Sequence, residues 1–88
     1  MATEAIMRPG NTLYIRNINE KVKVDELRTT LYHLASVYGE VIDINICKHK
    51  SITKMRGQAF IVYRTPKIAL HALSNLQNFP LFGNKIEV

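Results

Sequence analysis

Residues 42–47 alternate without a break, with Ile42, Ile44 and Ile46 separated by Asp43, Asn45 and Cys47. A period of two puts the isoleucines on one face of a strand and the polar residues on the other. Such a strand belongs to a sheet packed on one side only, so the chain needs helices for one face and leaves the other to water. This requirement constrains the fold more than any other feature.

The flanking segments meet it. Leu13-Tyr14-Ile15-Arg16 has the same period and predicts a first strand. Residues 24–38 place Leu27, Leu31, Leu34, Ala35 and Tyr38 at helical spacing, with Gly39 as a stop. Gly57 to Tyr63 reads as a third strand. Thr65-Pro66 opens a second helix, a capping residue followed by proline at the first helical position. That helix is expected to bury Ala69, Ala72, Leu73 and Leu76, and Ile86 to Val88 to form a short last strand.

The expected fold is therefore α+β: a ferredoxin-like βαββαβ sandwich, a four-stranded antiparallel sheet with two helices on one face. With 88 residues there is room for one domain, expected over residues 11–88 after a flexible lead-in over residues 1–10. Residues 1–10 lack the apolar run of a signal peptide. The longest apolar stretch, Ala59 to Tyr63, is far below the ~18 residues of a membrane span. A single cysteine, Cys47, excludes an internal disulfide and a cysteine-based zinc cluster. His33, His49 and His71 have no metal-ligand spacing, and no cofactor is expected.

Strand parity decides what faces water. With Leu13 and Ile15 pointing inward, Thr12, Tyr14 and Arg16 point out; with Ala59, Ile61 and Tyr63 inward, Gln58, Phe60 and Val62 point out. Two aromatic rings then lie on the wet face of neighbouring central strands, beside Arg16, Arg56 and Gln58. Exposed rings among cations suit base stacking, and packing beneath a chain terminus or against a protein is the other reading. Twelve Lys and Arg against seven Asp and Glu give a net charge of +5, which favours a polyanionic partner. The run from Lys48 to Arg56 carries Lys48, Lys50, Lys54 and Arg56 with no acid, as a phosphate-contacting loop would.

The run Arg56-Gly57-Gln58-Ala59-Phe60-Ile61-Val62-Tyr63 resembles the octamer of the RNA recognition motif family, with Gln58 where an aromatic is usual. Leu13-Tyr14-Ile15-Arg16-Asn17-Ile18 resembles its hexamer. Asn19-Glu20-Lys21, Asp25-Glu26-Leu27, Lys54-Met55-Arg56 and Gln77-Asn78-Phe79-Pro80 narrow the resemblance to one branch. That branch is the N-terminal domain of the spliceosomal small nuclear ribonucleoprotein A and B-double-prime proteins. Lys48 and Gly83 lean towards the B-double-prime type, and the A type stays open.

The resemblance implies a nuclear protein of pre-mRNA splicing, binding the single-stranded loop of a small nuclear RNA hairpin. It implies stacking by Tyr14, Gln58 and Phe60, base contacts by Asn17, Glu20, Lys85 and Glu87, and contacts near phosphates and the closing pair by Lys21, Lys23, Lys54 and Arg56. Thr12, Arg16 and Asn45 on the open face, and Lys48, Lys50, Ile52 and Met55 around the basic loop, complete the expected RNA site. Arg16 stands where the family usually has Asn, which bears on base choice. The loop is longer than in relatives, so Ile52 or Thr53 takes the place of their apolar tip. The chain ends at Val88, ahead of the helix that covers the sheet in relatives, as expected of a domain cut from a longer protein.

A B-double-prime type also implies a leucine-rich-repeat partner, the A-prime protein, on the helical side. Arg28, Thr29, Tyr32 and Ser36 are the expected contacts there, since they oppose the inward face of the first helix. No membrane and no DNA partner is expected. Acylphosphatase-like enzymes share this strand order but need a glycine-rich phosphate loop after the first strand. Here Asn17-Ile18-Asn19-Glu20-Lys21 has no glycine and carries an acid, so no catalysis is expected. A protein-binding module with a repurposed sheet is the remaining alternative.

Overall fold

The computed structural model describes residues 9–48 and 55–88. Of the expected lead-in, residues 1–8 lie outside the described residues, and Pro9–Asn11 form a 3-10 turn. The elements that follow are β1 (Thr12–Ile15), α1 (Val24–Ser36), β2 (Val41–Lys48), β3 (Met55–Tyr63), α2 (Pro66–Leu76), β4 (Pro80–Leu81) and β5 (Asn84–Lys85).

Strands β1, β3 and β2 form an antiparallel sheet in that order, with β3 central. The inward residues of its three strands, Leu13, Ile15, Ile44, Ile46, Ala59, Ile61 and Tyr63, join one buried cluster with Leu27, Leu31 and Ala35 of α1 and Ala69, Ala72 and Leu76 of α2. Both helices therefore cover the same face. Tyr63 closes this core without stranding its polar tip, because its hydroxyl donates to the Ala35 carbonyl at 2.7 Å. Burial pushes that phenol up to about 12, and Tyr38 adds to the shift.

The helix starts differ. Helix α2 is capped by the Thr65 side chain, which accepts from the Ile68 N–H at 3.3 Å, with Pro66 next as expected. Helix α1 follows Lys23 without a side-chain cap, and Asp25 and Glu26 in its first turn complement the helix dipole. It ends at Ser36, two residues short of the expected 38, where the Tyr38 N–H turns back to the Ala35 carbonyl. Leu34, Tyr38 and Leu73 are only partly buried.

Three further expectations are corrected. The sheet has three ladder strands rather than four, because Asn84–Lys85 fold back on Pro80–Leu81 as a separate two-stranded hairpin. The last segment reaches β1 through one bridge, Arg16 to Glu87. Strand β3 begins at Met55 rather than Gly57, and Lys48 pairs with Met55, so both belong to strands and not to the loop. Val62, expected to face water, is fully buried, outside the main cluster. Its short side chain sits on the central strand between Thr12 and Asp43, which flank it on both sides.

Candidate nucleic-acid interface

The register of the sheet assembles the open face row by row. Tyr14 lies opposite Phe60, and Phe60 lies opposite Asn45, so the three side chains form one line across the strands. The Tyr14 and Phe60 rings stack at 4.9 Å between centroids with 27° between planes. Tyr14 is 37% exposed and Phe60 is half-buried, so two joined π-faces lie on the side away from the helices. Rings so placed gain part of their contact from each other and keep the rest for a planar ligand.

Arg16 continues this face past Tyr14, with its guanidinium carbon 6.0 Å from the Tyr14 ring centroid. Glu87 faces it across the bridge and makes an ion pair at 3.4 Å. Thr12, at the other end of β1, is less available than expected. Its hydroxyl oxygen is buried and, among the described residues, has no hydrogen-bond partner.

A second feature lies where the loop after β1 meets the start of β3. Asn17, Glu20, Lys21, Arg56 and Gln58 line an open groove of about 470 Å³ together with Ile18, Asn19, Gly57 and Asn84. Gly57 makes this meeting possible. Its φ of +79° is left-handed, and a Cβ there would stand 2.8 Å from the Ile18 carbonyl oxygen. The Ile18 N–H donates to the Gly57 carbonyl at 3.0 Å, tying the loop to the strand. The octamer needs its glycine here for close backbone approach.

Three asparagines hold the loop from the other side. The Asn17 amide donates to the Lys85 carbonyl at 2.9 Å, and the Asn84 amide returns a bond to the Asn17 carbonyl at 3.1 Å. Asn19 donates to the Phe82 carbonyl and accepts from the Lys21 N–H. Asn17 adopts φ 63°, a left-handed angle that asparagine tolerates. Its side-chain N–H group is therefore engaged within the protein. Asn19, Asn84 and Gly57 are the positioning residues that periodicity and parity did not reveal; the Asn-rich loop itself was the available signal.

Lys23 immediately precedes α1 and Lys48 ends β2 opposite Met55, and neither lines this groove. Lys50, Ile52 and Lys54, with His49 and Thr53, lie outside the described residues, as does the side chain of Met55. Lys85 is exposed on β5, next to the asparagine clasp. Cys47 is half-buried at the register shift between Ile46 and Lys48.

On the helical side, Arg28, Thr29 and Tyr32 border a groove of about 370 Å³ with Val41 to Ile44. Tyr32 is 51% exposed. Arg28 is not a free charge, because it donates to the Ile44 carbonyl at 2.6 Å and satisfies that backbone group. Thr29 and Ser36 donate to the Asp25 and Tyr32 carbonyls of their own helix.

The RNA recognition motif family model matches residues 13–87. The chain belongs to the RNA recognition motif family. Within it, the chain is 45% identical over 78 residues to the probable U2 small nuclear ribonucleoprotein B'' of Schizosaccharomyces pombe, covering 89% of this chain and 68% of that protein. It is 39% identical to the U1 small nuclear ribonucleoprotein A of Drosophila melanogaster, over 93% of this chain and 37% of that protein. A rice U2 small nuclear ribonucleoprotein B'' is 41% identical over 91% of this chain, which spans only 33% of it. Among solved structures, a chain of a Sxl-lethal protein/RNA complex superposes with a TM-score of 0.73 at 26% identity, over 90% of this chain and 46% of that one. In this RNA recognition motif, the hexamer and octamer carry the stacked rings on adjacent strands.

Proposed function

We propose that this chain binds the single-stranded loop of a small nuclear RNA hairpin on its open sheet face. It does so as a structural component of a B''-like small nuclear ribonucleoprotein in nuclear pre-mRNA splicing. The observation that carries this reading is the Tyr14–Phe60 stack on the face away from the helices. Splayed loop bases offer the π-faces such rings accept, along with edges that a duplex hides. The bridge to Glu87 brings the last segment to the edge of this face. The groove of Glu20, Arg56 and Gln58 would hold the base of the loop, and the basic segment 48–56 the phosphates.

The names of the relatives support a small nuclear ribonucleoprotein rather than an enzyme, and U1 and U2 particles place the role in splicing. The helical groove beside Tyr32 suits a protein partner, and the A-prime repeat protein is the one a B''-like chain would use. Tyrosine and arginine are enriched where such partners dock.

The test is binding of this domain to hairpins from the small nuclear RNAs, with and without A-prime protein. Selective binding to one loop, tightened by A-prime, is the expected result. Full affinity without A-prime would favour the A-type role, and no preference among loops would overturn the reading.

A further inference from the structure

Among the described cations of the open face, Arg16 alone makes an ion pair, with Glu87 across an isolated bridge. Arg16 and Glu87 exchange backbone hydrogen bonds, with N–H to O distances of 2.8 and 3.0 Å. Residues opposed in this way project to one face, and Arg16 shares that face with Tyr14. We propose that Arg16 and Glu87 form a single base-reading pair selective for guanine, presented to the base that stacks on Tyr14. This inference rests on the RNA-binding reading and adds the identity of one base to it.

A carboxylate on a face that holds a polyanion repels phosphates, and Glu87 cancels the attraction Arg16 would supply. The pair therefore adds nothing to backbone binding. Nor does it account for itself through stability. Both side chains are about half exposed, at 52% and 53%, and exposed ion pairs contribute little. Base reading remains, and it uses both charges.

The geometry leaves both groups available. Their N–O contact of 3.4 Å is longer than a strong charge-assisted hydrogen bond. The guanidinium keeps donors and the carboxylate keeps acceptor lone pairs. The guanidinium carbon lies 6.0 Å from the Tyr14 centroid, so a base laid on that ring brings its edge to the pair.

Guanine matches this edge best. Its O6 and N7 accept from arginine, and its N1–H and exocyclic amino group donate to one carboxylate. Adenine and cytosine offer one amino donor group each on that edge, and uracil a single ring N–H. Any other base leaves part of the pair facing a group it cannot satisfy, which is where discrimination arises.

Selection of a hairpin pool with a randomised loop against wild type, E87Q and R16Q tests the inference. Wild type is expected to enrich guanine at one loop position, and both variants to lose that enrichment while still selecting the other positions. On the enriched hairpin, guanine to inosine removes only the amino group facing Glu87, and guanine to 7-deazaguanine only the N7 facing Arg16. Replacing the guanine by adenine should cost wild type about 5- to 100-fold in affinity, the equivalent of one good base pairing. E87Q should ignore the inosine change and R16Q the 7-deaza change. Guanine enrichment that survives in E87Q overturns the inference, as does a wild-type consensus without guanine. No enrichment of any loop by wild type would defeat the RNA-binding reading, and this inference with it.

Discussion

The two faces of the molecule spend their polar and aromatic side chains differently. On the helical side, Arg28, Thr29 and Ser36 already donate to backbone carbonyls, while Tyr32 stands half exposed beside them. On the sheet face, Tyr14 and Phe60 stack on each other with Arg16 near the Tyr14 ring, Asn45 stands beside them, and Arg16 and Glu87 meet at 3.4 Å. A surface whose hydrogen-bonding groups are committed internally can dock a partner by shape and burial. One whose rings and charges are uncommitted can read a ligand. The proposed reading follows this contrast, with RNA on the sheet and a protein on the helices.

Gly57→Ala should break the contrast most severely, because the change strains a left-handed backbone and drives a Cβ against the Ile18 carbonyl. Strain of this kind costs about 1–3 kcal/mol, so chemical denaturation should show that loss together with weakened RNA binding. An unchanged denaturation midpoint would mean that the loop does not lean on β3. Arg56→Gln comes next. If Arg56 contacts phosphate from the groove beside Glu20, the slope of log affinity against log salt should fall by about 1. A wild-type slope would remove Arg56 from the backbone contacts.

The helical side is sharpened by Arg28→Glu with Tyr32→Ala. RNA affinity is expected to stay within a few-fold of wild type, while capture of A-prime is lost. Wild-type capture would move the interface elsewhere. The smallest effect concerns the core that joins the two faces. Tyr63 titrates near 10 when unfolded and at about 12 when folded, so its contribution to stability is intact below pH 10 and lost as pH rises towards 12. Tyr63→Phe should flatten the decline in denaturation midpoint over that window, and an unaltered decline would show that other groups cause it.

Much of this arrangement can be read from the residues in order. The parity of Leu13 to Arg16 and of Gln58 to Tyr63 locates Tyr14 and Phe60 on the outer face, because strand periodicity is local. Thr65-Pro66 marks the start of α2 for the same reason. What escapes is non-local. The bonds from Asn17 to Lys85, Asn84 to Asn17 and Asn19 to Phe82 link positions more than sixty residues apart, and no period in the chain announces them. The last strand is misjudged because left-handed angles at Phe82 and Gly83 turn the segment into a hairpin before it reaches β1. Burial of Val62, opposite Thr12 and Asp43, depends on what packs over it in three dimensions, and alternation along one strand cannot supply that. The family resemblance offered Asn17 as a base contact, and the fold ties its side-chain amide into the clasp.

The central claim is that the Tyr14–Phe60 stack carries the RNA, and the affinity of Phe60→Ala for a bound hairpin tests it most directly. Phe60 is half-buried on the outer face, so the variant should keep its fold while losing its aromatic partner for Tyr14. Binding should weaken by roughly 1–3 kcal/mol, the contribution of one stacked base. Wild-type affinity in a variant that unfolds cooperatively would contradict the account and move the RNA off the sheet.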